Sequence, residues 1–129
     1  FVMFQNEFVR FIDILVDALS IYSESEYGNQ IKFELAMAYS GNELYDNAIT
    51  LFDEIEKDED SPLFIDSVFN KAETLFTKKS YKNASVSYKR ILPLIDKDKD
   101  RAKYVEEKLT TCYLNMGLYT EALNTYQNE

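Results

Sequence analysis

A chain of 129 residues suits one compact domain or a few units of a repeat array. Its hydrophobic fraction of 46% and aromatic fraction of 15% argue against disorder, and its 3 glycines and 2 prolines argue against a turn-rich all-β fold. With 14 basic and 23 acidic residues, the net charge is −9. That charge disfavours nucleic acids and anionic membrane surfaces, and it favours neutral or basic protein partners.

The residue types needed for most catalytic and metal sites are scarce. Histidine is absent, and Cys112 is the only cysteine, so neither an intrachain disulfide nor a cysteine-based zinc site can form. The sequence contains no paired-carboxylate motif and no glycine-rich phosphate loop. We therefore expect no enzymatic activity, no cofactor and no metal, and we expect Cys112 to be a small buried hydrophobe.

The first predicted helix, residues 7–22, is apolar on more than one face. Apolar residues form two stripes along this helix and just before it: Phe4, Phe8, Phe11 and Leu15, and then Val9, Ile12 and Val16. Charged residues interrupt the segment, which therefore predicts neither a membrane span nor a secretory signal. A helix that is apolar on several sides needs several neighbours. We expect it to pack on the next helices and also on an upstream helix or a second copy of this chain.

Three later segments repeat one pattern: "ELYDNAITLFDEI", "KSYKNASVSYKRI" and "GLYTEALNTYQNE". Each has a tyrosine, an alanine three residues later and an aromatic residue four after that. These predicted repeat-packing positions are Tyr45, Ala48 and Phe52, then Tyr81, Ala84 and Tyr88, then Tyr119, Ala122 and Tyr126. The alanines are 36 and 38 residues apart, and Phe8, Phe11 and Leu15 form a fainter copy upstream.

A further helix is predicted before each alanine-containing segment. Small or apolar residues recur twelve and nine residues before each alanine, and residues three apart lie on one face of a helix. Each repeat is thus a helix A followed by a helix B, separated by "SGNE", "TKKS" or "NMGL". The predicted helices are 7–22, 27–41, 43–57, 62–78, 81–96, 100–116 and 118–129. The expected fold is all-α, a right-handed α-solenoid of antiparallel helix pairs.

This pattern resembles the tetratricopeptide repeat (TPR), a helix–turn–helix unit of about 34 residues. The family's tryptophan position falls on Lys32, Val68 and Glu106, and its terminal proline position falls on Asp60 and Asp96, so the array is divergent. We expect a single TPR-like domain over 1–129, with a half repeat at 5–22 and repeats at 27–60, 62–98 and 100–129. Both ends look like cuts through a longer solenoid.

The resemblance implies that a peptide or partner subunit binds on the concave face formed by the A helices. The candidate positions on that face are Gln30, Phe33, Met37, Ser40, Asp66, Phe69, Glu73, Phe76, Tyr104, Glu107 and Thr111. Aromatic anchors interleaved with carboxylates suit an apolar or mildly basic peptide. The alternative is that the three phenylalanines are ordinary packing residues.

Related families with other ligands fit this sequence less well. The TPR domains that grip the carboxylate of chaperones use lysine and asparagine, whereas these positions carry Phe, Met and Glu. The pentatricopeptide repeat has similar helix pairs but reads single-stranded RNA, which a −9 chain would repel. A noncatalytic protein-interaction module is the leading hypothesis, and the alternative is a structural or self-associating segment of a larger scaffold.

The stretch "DKDKDRAKYVEE" at 96–107 has acidic residues at positions 1, 3, 5 and 12 of a calcium-binding loop. Position 6, where such a loop needs glycine, is Arg101, and three lysines add positive charge. The corresponding connection between repeats, one repeat earlier, is "DEDSPL", in which Ser61 and Pro62 predict an N-cap and a first helical residue. We therefore interpret the stretch as a corner between repeats, with Asp100 capping the next helix.

Overall fold

The computed structural model describes the backbone of residues 2–127 and the side chains of residues 7–127. Within that range the chain forms seven α-helices, one 3₁₀ turn and no strand. The helices are α1 (Val2–Tyr22), α2 (Gly28–Gly41), α3 (Tyr45–Glu56), α4 (Phe64–Thr77), α5 (Tyr81–Ile91), α6 (Lys99–Asn115) and α7 (Tyr119–Gln127). The predicted all-α helical-repeat fold is confirmed.

The turns from helix A to helix B have the same construction in all three repeats. Each consists of three residues, 42–44, 78–80 and 116–118, and each has a left-handed residue at its centre. Those central residues are Glu43 (φ 63°), Lys79 (φ 68°) and Gly117 (φ 73°). They are separated by the same intervals as the repeat alanines, so the turn geometry follows the repeat defined by the sequence.

One hydrogen bond closes each of these turns. The N–H of the last turn residue donates to a carbonyl five residues earlier: Leu44 to Tyr39 at 2.8 Å, Ser80 to Leu75 at 2.8 Å and Leu118 to Tyr113 at 2.9 Å. This is the bond of a Schellman motif, in which a left-handed residue ends the helix and satisfies its last carbonyls. Glycine adopts this conformation without strain, whereas Glu43 and Lys79 adopt it at some cost.

The corners between repeats differ from one another, and two of them correct the sequence expectations. Helix α4 begins at Phe64 rather than Pro62, because Ser61 belongs to the preceding turn, where its hydroxyl accepts the N–H of Leu63 at 3.2 Å. Helix α6 is capped by Asp98 rather than Asp100, and the Asp98 carboxylate accepts the N–H of Arg101 at 3.1 Å. Asp98 has the extended backbone that an N-cap needs, whereas Asp100 lies inside the first turn.

Helix α5 is shorter than predicted. It ends at Ile91 and continues as a 3₁₀ turn over Leu92–Leu94, whereas the periodicity predicted a helix to 96. Pro93 accounts for the difference, because proline has no N–H to donate to a carbonyl four residues earlier.

The chain divides into two compact units, one up to Asn70 and the other from Lys71 onward, and the division falls within α4. In the first unit, α2 packs on both α1 and α3. Its core consists of Ile12, Leu35, Ala36, Ala38, Ala48, Leu51 and Phe52. At the start of α2, a Cβ on Gly28 would lie 2.3 Å from the Ser23 carbonyl oxygen, so only glycine allows this close approach.

In the second unit, α6 packs on both α5 and α7. Its buried residues include Ala72, Leu75, Ala84, Tyr88, Ile91, Val105, Leu109, Cys112 and Ala122. The alanines at the repeat positions are fully buried or nearly so in both units, as are Phe52 and Tyr88. Of the tyrosines three residues before each alanine, Tyr45 and Tyr81 are half-buried and Tyr119 is exposed; Tyr126 is exposed as well.

Helix α1 buries one narrow stripe. Ile12 is 9% exposed and belongs to the core of the first unit, with Leu15 and Leu19 packed against that core. Phe11, which the sequence aligned with the buried alanines, is 45% exposed. The large apolar residues on the remaining faces are also exposed: Val9, Ile14, Val16 and Ile21.

Replacing Ala84 tests the close packing of the second unit. Ala84 is fully buried, so Ala84→Leu must displace neighbouring side chains, and we expect a loss of more than ~1 kcal/mol of unfolding free energy. The measurement is urea unfolding followed by circular dichroism. Val86→Leu is the matched control because Val86 lies on the same helix and is 63% exposed. Equal stabilities for the two variants would contradict close packing at Ala84.

Candidate functional site

The candidate residues of α2 in the first unit differ in how much side chain they expose. Phe33 is half-buried and packs edge-on against Phe52, with ring centroids 5.9 Å apart, so it is partly a core residue. Met37 is 41% exposed. Gln30 is exposed, and its amide donates to Glu34 Oε1 at 3.0 Å, while Ser40 is half-buried. Met37 and Gln30 are therefore the most accessible of these positions.

Two candidate residues lie on the part of α4 that belongs to the first unit. Asp66 and Phe69 are both half-buried. The backbone carbonyl of Asp66 accepts a hydrogen bond from the Asn70 amide at 2.8 Å, one helical turn later.

Glu73 is the centre of a polar cluster in the second unit. Its carboxylate accepts hydrogen bonds from two phenol hydroxyls, Tyr88 at Oε1 and Tyr104 at Oε2, the latter at 2.7 Å. The three residues come from three helices, α4, α5 and α6. A hydrogen bond to an ionised carboxylate is about twice as strong as a hydrogen bond between neutral groups. Glu73 therefore links α4 to both α5 and α6.

Phe76 packs against aromatic rings of the neighbouring helix α5. Phe76, one turn after Glu73, lies edge-on to Tyr81 with a centroid distance of 5.5 Å and to Tyr88 with a centroid distance of 6.4 Å.

The ammonium of Lys108 lies 4.0 Å from the centroid of the Phe76 ring and 5.5 Å from that of Tyr104. Both distances fall within the range of cation–π attraction. We call Glu73, Phe76, Tyr88, Tyr104 and Lys108 the Glu73 cluster.

The acid–base properties of this region reflect burial. Desolvation raises the pKa of Tyr104 to about 12 and also raises the pKa of Tyr88, and in both cases the hydrogen bond to Glu73 acts in the same direction. Burial also raises the pKa of the Cys112 thiol to about 11, although the nearby Lys108 opposes the shift. These groups are neutral at physiological pH, so Cys112 is not a thiolate nucleophile.

The remaining candidates lie on α6. Glu107 is exposed, and Thr111 is half-buried with its hydroxyl donating to the Glu107 carbonyl at 3.0 Å. The structure thus brings Glu73, Phe76 and Tyr104 together, while Glu107 and Thr111 lie further along α6.

Sequence reasoning missed the part of Lys108 in this cluster and assigned Tyr88 only to repeat packing. A signal for Lys108 exists in the sequence, because Tyr104 and Lys108 are four residues apart and so share a helix face. The pairing of Tyr88 with Glu73 depends on how α4 and α5 pack, and local spacing does not contain that information.

The described residues lack two further kinds of site. Among side chains 7–127, no three histidine, cysteine or acidic residues are grouped so as to hold a metal ion. In the described part of the chain, no helix has both the length and the apolar composition needed to cross a bilayer.

Solved structures provide the comparison for the fold. The chain aligns over 98% of its length with a Podosopora anserina protein that has nearly identical TPR-like repeats, at a TM-score of 0.72 and 16% identity. It also aligns over 90% of its length with MamA of AMB-1, at a TM-score of 0.73 and 20% identity. This chain has a TPR-like fold. The predicted resemblance is therefore confirmed at the level of structure.

The TPR-like chain spans 66% of the first of these structures and 58% of the second. No protein-family model and no curated protein matches its sequence. With identities this low, the structural similarity establishes the architecture alone.

The two phenols of the Glu73 cluster differ in accessibility, which gives a test of its geometry. Tyr88 is fully buried, so Tyr88→Phe leaves a carboxylate oxygen without its donor, and we expect a loss of about 1.5–3 kcal/mol of unfolding free energy. Tyr104 is 37% exposed, so water can replace its hydroxyl, and Tyr104→Phe should cost less than about 1 kcal/mol. Urea unfolding measures both, with the exposed Tyr119→Phe as control. A larger loss for Tyr104→Phe than for Tyr88→Phe would refute this assignment.

The raised pKa of Cys112 predicts alkaline destabilisation. The folded chain favours the neutral thiol, whereas the unfolded thiol ionises around its ordinary pKa of 9.0. The stabilisation is therefore complete below pH 9 and is lost as the pH rises towards 11. Unfolding free energies measured across this interval should fall with pH, and they should fall less steeply for Cys112→Ala. Identical slopes for the two proteins would contradict the assignment to Cys112.

Proposed function

We propose that this chain is a noncatalytic protein-interaction module that binds a peptide or a segment of a partner subunit through exposed residues of its A helices, in either unit. The observation that carries the proposal is the TPR-like fold, which extends over at least nine-tenths of the chain. In this proposal all 129 residues act as one domain, with the repeats at 27–60, 62–98 and 100–129.

The chemistry of the second unit supports a neutral or basic partner. Along α4 and α6 it presents the half-buried ring of Phe76, the partly exposed ring of Tyr104 and the exposed carboxylate of Glu107. Aromatic rings provide contact area at a low entropic cost, and the net charge of −9 attracts cationic ligands and repels nucleic acids.

In the first unit, the exposed thioether of Met37 is the main candidate anchor. Methionine adapts to irregular apolar partners because its side chain is unbranched and flexible. Phe33 contributes less to binding in this proposal, because its edge contact with Phe52 supports the packing alternative at that position.

The residue inventory supports a noncatalytic function. The chain has no histidine, and its single thiol is buried and protonated. General base catalysis and thiolate chemistry therefore lack their usual side chains.

A structural or self-associating segment of a larger scaffold is the alternative function. One observation favours it, namely the exposed apolar faces of α1, which include Phe11, Ile14 and Ile21. Burying those faces against another helix would remove apolar surface from water at roughly 25 cal/mol per Å².

A peptide-display selection with the immobilised chain tests the proposal. Selected peptides should bind the wild type and the control variant Val86→Ser/Lys89→Glu equally, because those two exposed residues lie on a B helix. They should bind Tyr104→Ser/Glu107→Lys at least ten times more weakly. Circular dichroism melting checks that all variants are folded.

Two outcomes contradict the proposal. One is a selection that yields no specific peptide, and the other is an unchanged affinity for Tyr104→Ser/Glu107→Lys. A third variant, Ile14→Lys, distinguishes the alternative function from the proposed one. Peptides that lose affinity only for this variant would place the interaction on α1.

A further inference from the structure

The Glu73 cluster already contains a bound cation, supplied by the chain itself. The Lys108 ammonium lies over the Phe76 ring at 4.0 Å and near the Tyr104 ring at 5.5 Å. Cation–π attraction becomes stronger when the cation loses part of its water, and Lys108 is half-buried here. The two rings therefore form an aromatic platform suited to a positive charge.

The carboxylate of Glu73 lies at the edge of this platform with spare acceptor capacity. Oε1 accepts one hydrogen bond from Tyr88 and Oε2 accepts one from Tyr104. An ionised carboxylate offers about four lone-pair positions in total, so each oxygen can accept a second donor. The two phenols also fix the orientation of the carboxylate plane, which reduces the entropy lost when a further donor binds.

We propose that the aromatic platform and the Glu73 carboxylate form a binding site for an arginine side chain of the partner, and that Lys108 is its displaceable internal occupant. This inference rests on the proposed function and specifies the chemistry of the partner residue. The site lies entirely within the second unit, on α4, α5 and α6.

The guanidinium group of an arginine fits this site better than the ammonium group of a partner's lysine does. Its planar group stacks on aromatic rings, and its parallel N–H donors match the two oxygens of a fixed carboxylate. Guanidinium is also less strongly hydrated than ammonium, so it enters a half-buried site at a lower desolvation cost. Lys108 has a flexible four-carbon stem and can move its charge into solvent when the guanidinium arrives.

The internal lysine also sets the strength of the site. A ligand that binds only when Lys108 has left has its apparent affinity reduced by the fraction of molecules in which the platform is vacant. Removing the ammonium while keeping an apolar side chain at position 108 should therefore strengthen binding of a guanidinium.

The test uses N-acetyl-L-arginine methylamide, which carries no charge apart from its guanidinium. Titration of the full chain is followed by NMR through the ring protons of Phe76 and Tyr104. We expect Lys108→Met to bind this compound at least three times more tightly than the wild type. Lys103→Met is the matched control, since it removes the same charge from an exposed position on the same helix, and it should stay within a factor of about 1.5 of the wild type.

A neutral isostere and a second variant complete the experiment. N-acetyl-L-citrulline methylamide has the same shape without the charge, and it should bind Lys108→Met at least five times more weakly than the arginine compound does. Adding Tyr104→Leu to Lys108→Met removes one ring of the platform and should abolish the gain in affinity.

Three results would overturn the inference. The first is equal affinity of Lys108→Met and Lys103→Met for the arginine compound, and the second is equal affinity of Lys108→Met for the arginine and citrulline compounds. The third is a titration in which the ring protons of Phe76 and Tyr104 do not shift. The assay requires no protein partner, so its outcome is separable from that of the peptide selection. If the arginine compound binds but the selection yields no peptide, only the proposed interaction module is contradicted. If peptides are selected but the arginine compound does not bind, only this inference is contradicted.

Discussion

The left-handed turn between the two helices of each repeat is the constraint on which the other features depend. In all three repeats, one residue with positive φ and one hydrogen bond across five residues end helix A. The last turn residue then accepts the first hydrogen bond of helix B, from Ala48, Ala84 or Ala122. The turn thereby fixes the rotation of helix B, so the alanine on its first turn is buried.

The Glu73 cluster is a consequence of the same geometry. Glu73 and Phe76 precede the turn at 78–80, and Tyr81 and Tyr88 follow it. The turn therefore places the phenol of Tyr88 against the carboxylate, and α6 completes the arrangement with Tyr104 and Lys108. The first unit lacks this polar centre at the corresponding position, where Met37 takes the place of Glu73.

Much of the fold could be predicted from sequence because short-range patterns encode it. The repeated alanines and the helix breaks gave the number of helices and the position of each A–B turn. The errors arose where local conformation departs from periodicity: Pro93 ended α5 early, and the extended backbone of Asp98 made it the cap of α6 instead of Asp100. Phe11 was misplaced because α1 is apolar on several faces, so its periodicity did not identify Ile12 as the buried residue. Glu73, Phe76 and Tyr104 were candidates from their spacing, but the contacts among them and the position of Lys108 depend on packing between helices.

The contrast between the two kinds of connection has an evolutionary consequence. Every A–B turn has three residues, because adding or deleting one would break its closing hydrogen bond and rotate the next helix. The corners between repeats, at 23–27, 57–63 and 95–98, differ in both length and conformation. Lengthening a flexible connection costs little free energy, about 0.6 kcal/mol for each doubling. Insertions and deletions in related sequences should therefore accumulate at the corners, where the array can change length without disturbing the register of any helix pair.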